Sequence, residues 1–501
     1  MPDRARHRSK RPGTAARRRA GGRKKTTPPR TPSERAAAIR ASVARGYVAD
    51  LGPLLVALSD PVPGIRETAA VALGILKDPR GRSTLVTALT DPDPAVRGAA
   101  VDALGAIGHA ESREALEHAL SDPEAAVRTR AGYALALLED ARSLPVLSAH
   151  GNDPAPEVRR AVATALGRLG TDEARACLRP LLEDPHDRVR REALLALGRS
   201  DDPVDLPILR AHLADPSRRV RVAAAVVLGR RRDPTSVGPL LALLDRPETW
   251  EKPAVLIALG RIGAREALPE LLRAAEHPAH WVRVCAIHAL GEMGAPEGAP
   301  VAADHLTDPA WSVRGAAAVA LGAVGGPTHL SALLDLLRDE HPWPRRGAIY
   351  ALGRLGLAEA APRIREELLD PAAEVRLAAV WALGVLADDG AREALVRLLY
   401  ETRPIDVPNH LRVAQGENPL RSDAESRVFD AVVQALGRLA HGLPDPLIHR
   451  ALVDARERLT EEELDRAARL PLPELALDRA PPTVRLLFES AIPSSGEDDE
   501  P

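Results

Sequence analysis

A period of 31 residues, kept through eleven repetitions without an insertion, constrains this chain more than any other feature. Counted from a basic slot, the register runs Arg66, Arg97, Arg128, Arg159, Arg190, Arg221, Lys252, Arg283, Arg314, Arg345 and Arg376. A glycine keeps step with it: Gly74, Gly105, Gly167, Gly198, Gly229, Gly260, Gly291, Gly322, Gly353 and Gly384, with Ala136 as the exception. A register that survives 310 residues requires a tandem array of one structural unit, each unit burying its apolar face against the next.

Within a unit the apolar residues after the basic slot recur at i, i+3, i+4 and i+7, as in DPAWSVRGAAAVALG, Asp308 to Gly322. That is one face of a helix. A shorter Leu-rich helix precedes it, as in Val237 to Asp245, often with a proline near its start, where a missing N–H has no partner to lose. Between the two, an Asp-Pro such as Asp184-Pro185 or Asp370-Pro371 stops the first helix in a tight turn. The glycine near the end of the second helix allows close packing or a left-handed exit. Aromatic residues are only 2% of the chain, so the core has to be built of Ala, Leu and Val.

The ends differ. Residues 1–30 carry nine Arg and three Lys against Asp3 alone, with no apolar segment behind them. They read as a disordered basic arm, either making a weak contact with nucleic acid or another polyanion or simply aiding solubility. The absence of a leader-like apolar segment, of any apolar run of membrane-span length, and of paired cysteines leads us to expect a cytoplasmic chain without a membrane contact. Cys177 and Cys285 are the only two cysteines. The pattern predicts a capping helix over 31–47, capped by Ser33, then repeats over 48–400. An inserted loop over 401–422, a degenerate twelfth repeat over 423–440 with Phe429 in the basic slot, and a helical cap over 441–490 opened by Thr460 and Glu463 follow. The acidic end, 491–501, reads as disordered.

The unit resembles the HEAT repeat, particularly the short type found in phycobilisome lyases and many bacterial proteins, over residues 48–440. The resemblance implies an all-α, right-handed α-solenoid of about 12 helical pairs. It also implies that the turn aspartate and the arginine six residues later form a ladder along the stack, tying adjacent turns together. Asp60 with Arg66, Asp91 with Arg97, Asp122 with Arg128, Asp153 with Arg159, Asp184 with Arg190 and Asp215 with Arg221 keep that spacing, as do Asp308 with Arg314, Asp339 with Arg345 and Asp370 with Arg376. Repeats seven and eight carry Arg246 and His277 instead, so the ladder is expected to weaken there.

If the repeated arginine is scaffold, function belongs to the positions that vary. Those one, five and nine residues past it share a strip of the second helix, which the resemblance places in the concave groove. Repeats four and five offer Arg160, Thr164, Arg168 and Arg191, Leu195, Arg199; Arg230 and Arg261 extend Arg168 and Arg199 into a row stepping roughly 10 Å per repeat. Repeats ten and eleven offer Arg346, Tyr350, Arg354 and Trp381. The row reads as a binding surface or as a solvated face. Trp250, Trp281, Trp311 and Trp343 stand just before the basic slot in repeats seven to ten. They form either a ledge for a partner's apolar segment or a cover over the seams between repeats.

We find no phosphate loop, metal-spaced Cys or His pair, or nucleophile motif, so no cofactor or metal is expected. Deoxyhypusine hydroxylase, a HEAT-repeat enzyme, binds iron through His-Glu dipeptides, and the sequence contains none. The expected function is a monomeric, non-catalytic scaffold for a protein partner. Two alternatives stay open: nucleic-acid binding or base repair through the basic row, and a role like that of a bilin lyase or chromophore chaperone. Against the first stands charge: removing the +11 of residues 1–30 and the four carboxylates of 497–500 from the overall −2 leaves −9 for the rest.

Overall fold

The computed structural model describes residues 31–43, 51–200, 202–245 and 249–395. Among them lie eleven helical pairs and no strand. The second helices run from Pro63–Leu76 in the first repeat to Ala373–Val385 in the eleventh, each preceded by a shorter first helix such as Arg113–Ala119 or Leu268–Ala275. No helix among the described residues is long and apolar enough to cross a membrane. The arm 1–30, the insertion 401–422, the degenerate repeat 423–440, the cap 441–490 and the tail 491–501 lie outside the described residues, and so does Arg246.

The leucine seven residues past the basic slot is buried in every repeat, from Leu73 to Leu383, and joins the alanines around it in one continuous core. Neighbouring second helices pack directly on one another along the whole stack, whereas first helices meet one another little. The second-helix layer is therefore the more tightly packed of the two. Glycine sets that spacing. A Cβ on Gly260 would lie 2.6 Å from both Cα and O of Ala289, and one on Gly229 2.6 Å from Cα of Ala258. In repeat three, where Ala136 replaces the glycine, Gly132 four residues earlier takes the contact, against Ala161.

Of the two roles open to the repeated glycine, close packing is the one seen. The left-handed exit falls three residues later, at Gly108, Gly170, Gly263, Gly294 and Gly356, and at Lys77, Glu139, Arg232 and Ala387 where no glycine is available.

The first helix, Pro32–Val43, differs from expectation in two ways. Its cap is Thr31, not Ser33: Thr31 Oγ1 accepts the Glu34 N–H at 3.2 Å and Glu34 Oε2 accepts the Thr31 N–H at 3.0 Å. It also carries the basic slot one period before Arg66. Arg35 pairs with Asp60 at 2.8 Å, so this segment behaves as the second helix of a preceding unit rather than as a separate lid.

Candidate functional site

The ladder has a definite geometry. Eight of the arginines span two repeats, Nε and Nη2 gripping the aspartate 25 residues ahead and Nη1 donating to the carbonyl of the residue six behind. For Arg159 these distances are 2.6 and 2.9 Å to Asp184 and 2.7 Å to the Asp153 carbonyl. Arg66 to Asp91, Arg97 to Asp122, Arg128 to Asp153 and Arg190 to Asp215 repeat the fork. So do Arg283 to Asp308, Arg314 to Asp339 and Arg345 to Asp370. Every such aspartate also accepts the N–H two residues on, capping its own turn, as Asp308 does for Ala310 at 2.8 Å. Burial pushes the Asp308 carboxyl upward, but the Arg283 guanidinium and the Ala310 N–H outweigh it and hold it below its ordinary value. The spacing of six thus links an arginine to its own turn's backbone, and the carboxylate partner belongs to the next repeat. Arg376 donates to the Asp370 carbonyl at 2.9 Å.

The expected weakness narrows to one rung. Arg221 finds Glu251, with which it forms a buried pair. His277 imitates an aspartate, accepting the Ala279 N–H on Nδ1 at 3.1 Å while its carbonyl receives Arg283 at 3.0 Å. Imidazole supplies no negative charge, however, and Lys252 makes no hydrogen bond or ion pair among the described residues. Among the described residues, the contact between repeats seven and eight is the one without a rung.

The variable strip is open to solvent in part and covered in repeats seven and eight, where Pro253, Ile257, Val284 and His288 are buried. Val71, Ile75, Leu137 and Val385, all on it, are exposed. Its guanidiniums fall into two groups. Arg160 donates to Tyr133 Oη at 3.0 Å, Arg168 pairs with Glu139 at 3.0 Å, and Arg354 donates to Tyr350 Oη at 3.2 Å. Arg199, Arg230 and Arg261 have no such partner among the described residues. Burial, then the neighbouring Arg261 and Arg199, press the Arg230 guanidinium below its ordinary value. Arg191 and Arg346 are also lowered, first by burial; Glu192 counters this for Arg191 and Glu374 for Arg346. Tyr350 and Trp381 stack at 4.9 Å between ring centroids, forming an aromatic plate on the same strip.

The four turn tryptophans do not form one ledge. Trp250 is 64% exposed and stacks on Trp281 at 6.0 Å. Trp311 stacks on His341 at 3.8 Å and meets Trp343 edge-on. Trp343 is only 7% exposed, because it is seated on Gly315, where an added Cβ would collide with its ring. Trp343 therefore covers a seam, Trp281 and Trp311 are half-buried, and the exposed ring of the four is Trp250, in the Trp250–Trp281 pair. That pair and the arginine row occupy opposite rims of the second-helix layer, about 15 Å apart at ~1.5 Å per residue.

Sequence reading overlooked two features. Arg35 was one period upstream of the counted series. Asp205 is fully buried at a position held by small residues such as Ser112, Ser143 and Ala174 in every other repeat from two to eleven but the one with His329, and is paired with Arg179 at 3.0 Å; laying the repeats side by side exposes it. No group of three or more His, Cys, Asp or Glu among the described residues is arranged to hold a metal ion.

Comparison with known proteins matches this geometry to a family. A model described as HEAT repeats matches residues 82–155, 151–229, 212–283, 238–322, 274–353, 299–384 and 330–409. Among solved structures, the CpcE–CpcF complex of phycocyanin lyase from Nostoc sp. PCC7120 is similar at 24% identity, covering 49% of this chain and 94% of that one, with a TM-score of 0.31. Yeast importin-beta (Kap95p) is similar at 13% identity, covering 91% of this chain and 68% of that one, with a TM-score of 0.49. Human deoxyhypusine hydroxylase in complex with glycerol is similar at 26% identity, covering 55% of this chain and 96% of that one, with a TM-score of 0.25. No curated protein sequence matches. With the matched repeats running unbroken from residue 82 to 409 of 501, the chain belongs to the HEAT-repeat family.

Proposed function

We propose that this chain is a non-catalytic scaffold that binds another protein across its second-helix face, between the Trp250–Trp281 rim and the arginine row. The observation that supports this is a division of labour. The recurring charges are spent on their neighbours in the ladder, while side chains that change from repeat to repeat, such as Trp250, Arg199 and Arg230, stand in solvent. Trp250 carries the most testable part of the reading, since a large exposed indole offers contact area at little entropic cost. Replacing Trp250 by Ala leaves helicity unchanged and weakens a partner isolated from the native cell by on the order of tenfold. Equal capture by the variant removes the aromatic rim from the reading.

The unpartnered arginines favour one rival, binding of nucleic acid along the row. A salt titration with DNA separates the two: affinity that falls steeply with salt and is lost when Arg199, Arg230 and Arg261 are reversed to Glu supports the rival.

A further inference from the structure

We infer that Arg199, Arg230 and Arg261, with the apolar side chains beside them, form a receptor for an acidic amphipathic helix of a partner protein. Such a helix would present about three carboxylates in line, one per repeat. The inference rests on the scaffold reading above and gives the partner a chemistry.

Three observations carry it. First, these cations are uncompensated among the described residues. Elsewhere on the strip the exposed guanidiniums find an anion or a phenol: Arg168 takes Glu139 and Arg354 takes Tyr350. Arg199, Arg230 and Arg261 hold the same register position in successive repeats, roughly 10 Å apart, so that like charges are each other's neighbours along the row. Like charges held side by side cost stability unless an opposite charge arrives from outside.

Second, the row is short and closed at both ends. Arg168 before it is already paired with Glu139, and the equivalent position after Arg261 is Glu292. Two steps of roughly 10 Å separate the first cation from the last. A nucleic acid, with a phosphate charge every ~1.7 Å of duplex axis, needs a longer basic track. It would also run into Glu292 in a chain whose residues outside the tails sum to −9.

Third, the row has an apolar margin. Leu195, Val222 and Val226, on the same strip of repeats five and six, are half-buried. A bare polyanion has no use for them. In a helix, about seven residues span 10 Å at ~1.5 Å each, so acids at i, i+7 and i+14 meet the three arginines. Leucines three or four residues after each acid then lie against Leu195 and Val226.

The test uses the full chain and a fluorescent 21-residue helical peptide. It carries Glu at one heptad position and Leu four residues later, on an Ala/Gln background. Anisotropy should show binding that Arg199→Glu/Arg230→Glu/Arg261→Glu weakens about tenfold or more with circular dichroism unchanged. A peptide with Lys in place of each Glu should prefer the reversed variant. Moving the Glu residues to the opposite helix face should abolish binding. Equal affinity for wild type and variant overturns the inference. So does single-stranded DNA that binds wild type more tightly than the peptide and is lost in the variant, because the row is then a polyanion track. Peptide affinity that rises when Glu497, Asp498, Asp499 and Glu500 become Gln also overturns it, because the chain's own tail is then the occupant. A native partner that the triple variant still captures in full removes this inference and leaves the scaffold reading standing. If wild type has no protein partner, the scaffold reading itself falls.

Discussion

Gly260 shows how little freedom a single position has in this stack. Its missing Cβ is replaced by the backbone of Ala289, which cannot yield as a side-chain tip would. Gly260→Ala should therefore force adjacent second helices apart and cost about 1–3 kcal/mol in urea unfolding. Gly64→Ala, with nothing within 4 Å, is the matched control and should be neutral or slightly stabilising. Glu367 makes a different kind of prediction. Burial first, then the nearby Asp370, pushes its carboxyl up to about 7, well above the ordinary 4.5. A carboxyl with a raised folded value burdens the fold as soon as the same group ionises in the unfolded chain. The cost is absent below pH 4.5, grows as pH rises from 4.5 to about 7, and is level above that. Glu367→Gln should raise stability at pH 8 by less than about 1 kcal/mol, given the group's solvent contact, and leave it unchanged at pH 4.

At the scale of the element, the rung between repeats seven and eight is the informative one. Burial first, then the Lys252 ammonium, hold the His277 imidazole below its ordinary value, so the pair meets without an attraction. Lys252→Arg together with His277→Asp should rebuild the fork seen at Arg283 and Asp308 and stabilise the chain by about 1–3 kcal/mol. Either change alone should give little, and the coupling from a double-mutant cycle is the measurement. Much of this was legible in the sequence. The period alone aligns Leu73 with Leu383, locates the turn aspartates and predicts where the ladder fails. What it could not supply are compensations from outside the register. Glu251 rescues Arg221 from a position five residues past the missing aspartate, which no repeat-by-repeat alignment points to. The fate of each tryptophan was equally hidden, because it depends on the residue across the seam: Gly315 makes a seat for Trp343, whereas Trp250 stacks in the open on Trp281. The direction of the fork was open too, since a spacing of six fixes the residues of a rung but not which neighbour each one grips.

For the whole molecule, stability in such an array is close to a sum of unit terms and nearest-neighbour terms, so local weakness stays local. The rungs are carboxylate rungs, and Asp91, Asp122, Asp153, Asp184, Asp215, Asp308 and Asp339 all sit below their ordinary value. A group with a depressed folded value stabilises the fold above its unfolded value, 3.8, and loses that contribution as pH falls through the folded one. Acidification below pH ~4 should therefore release the seams on both sides together. The seam between Lys252 and His277 should be the weakest at neutral pH; with no carboxylate rung to lose, its acid response is confined to His277, whose lowered folded value makes protonation below pH 6.5 a cost to that seam alone. Hydrogen exchange can test this seam by seam. At pH 7 the second helices flanking that seam, Lys252–Ile262 and His280–Met293, should exchange faster than Pro156–Leu169 or Trp311–Val324. The contrast should shrink towards pH 3 after correction for intrinsic exchange, and it should vanish at pH 7 in the Lys252→Arg/His277→Asp variant. Uniform protection along the stack at pH 7 would show instead that glycine-spaced apolar packing, not the ladder, sets the strength of each seam.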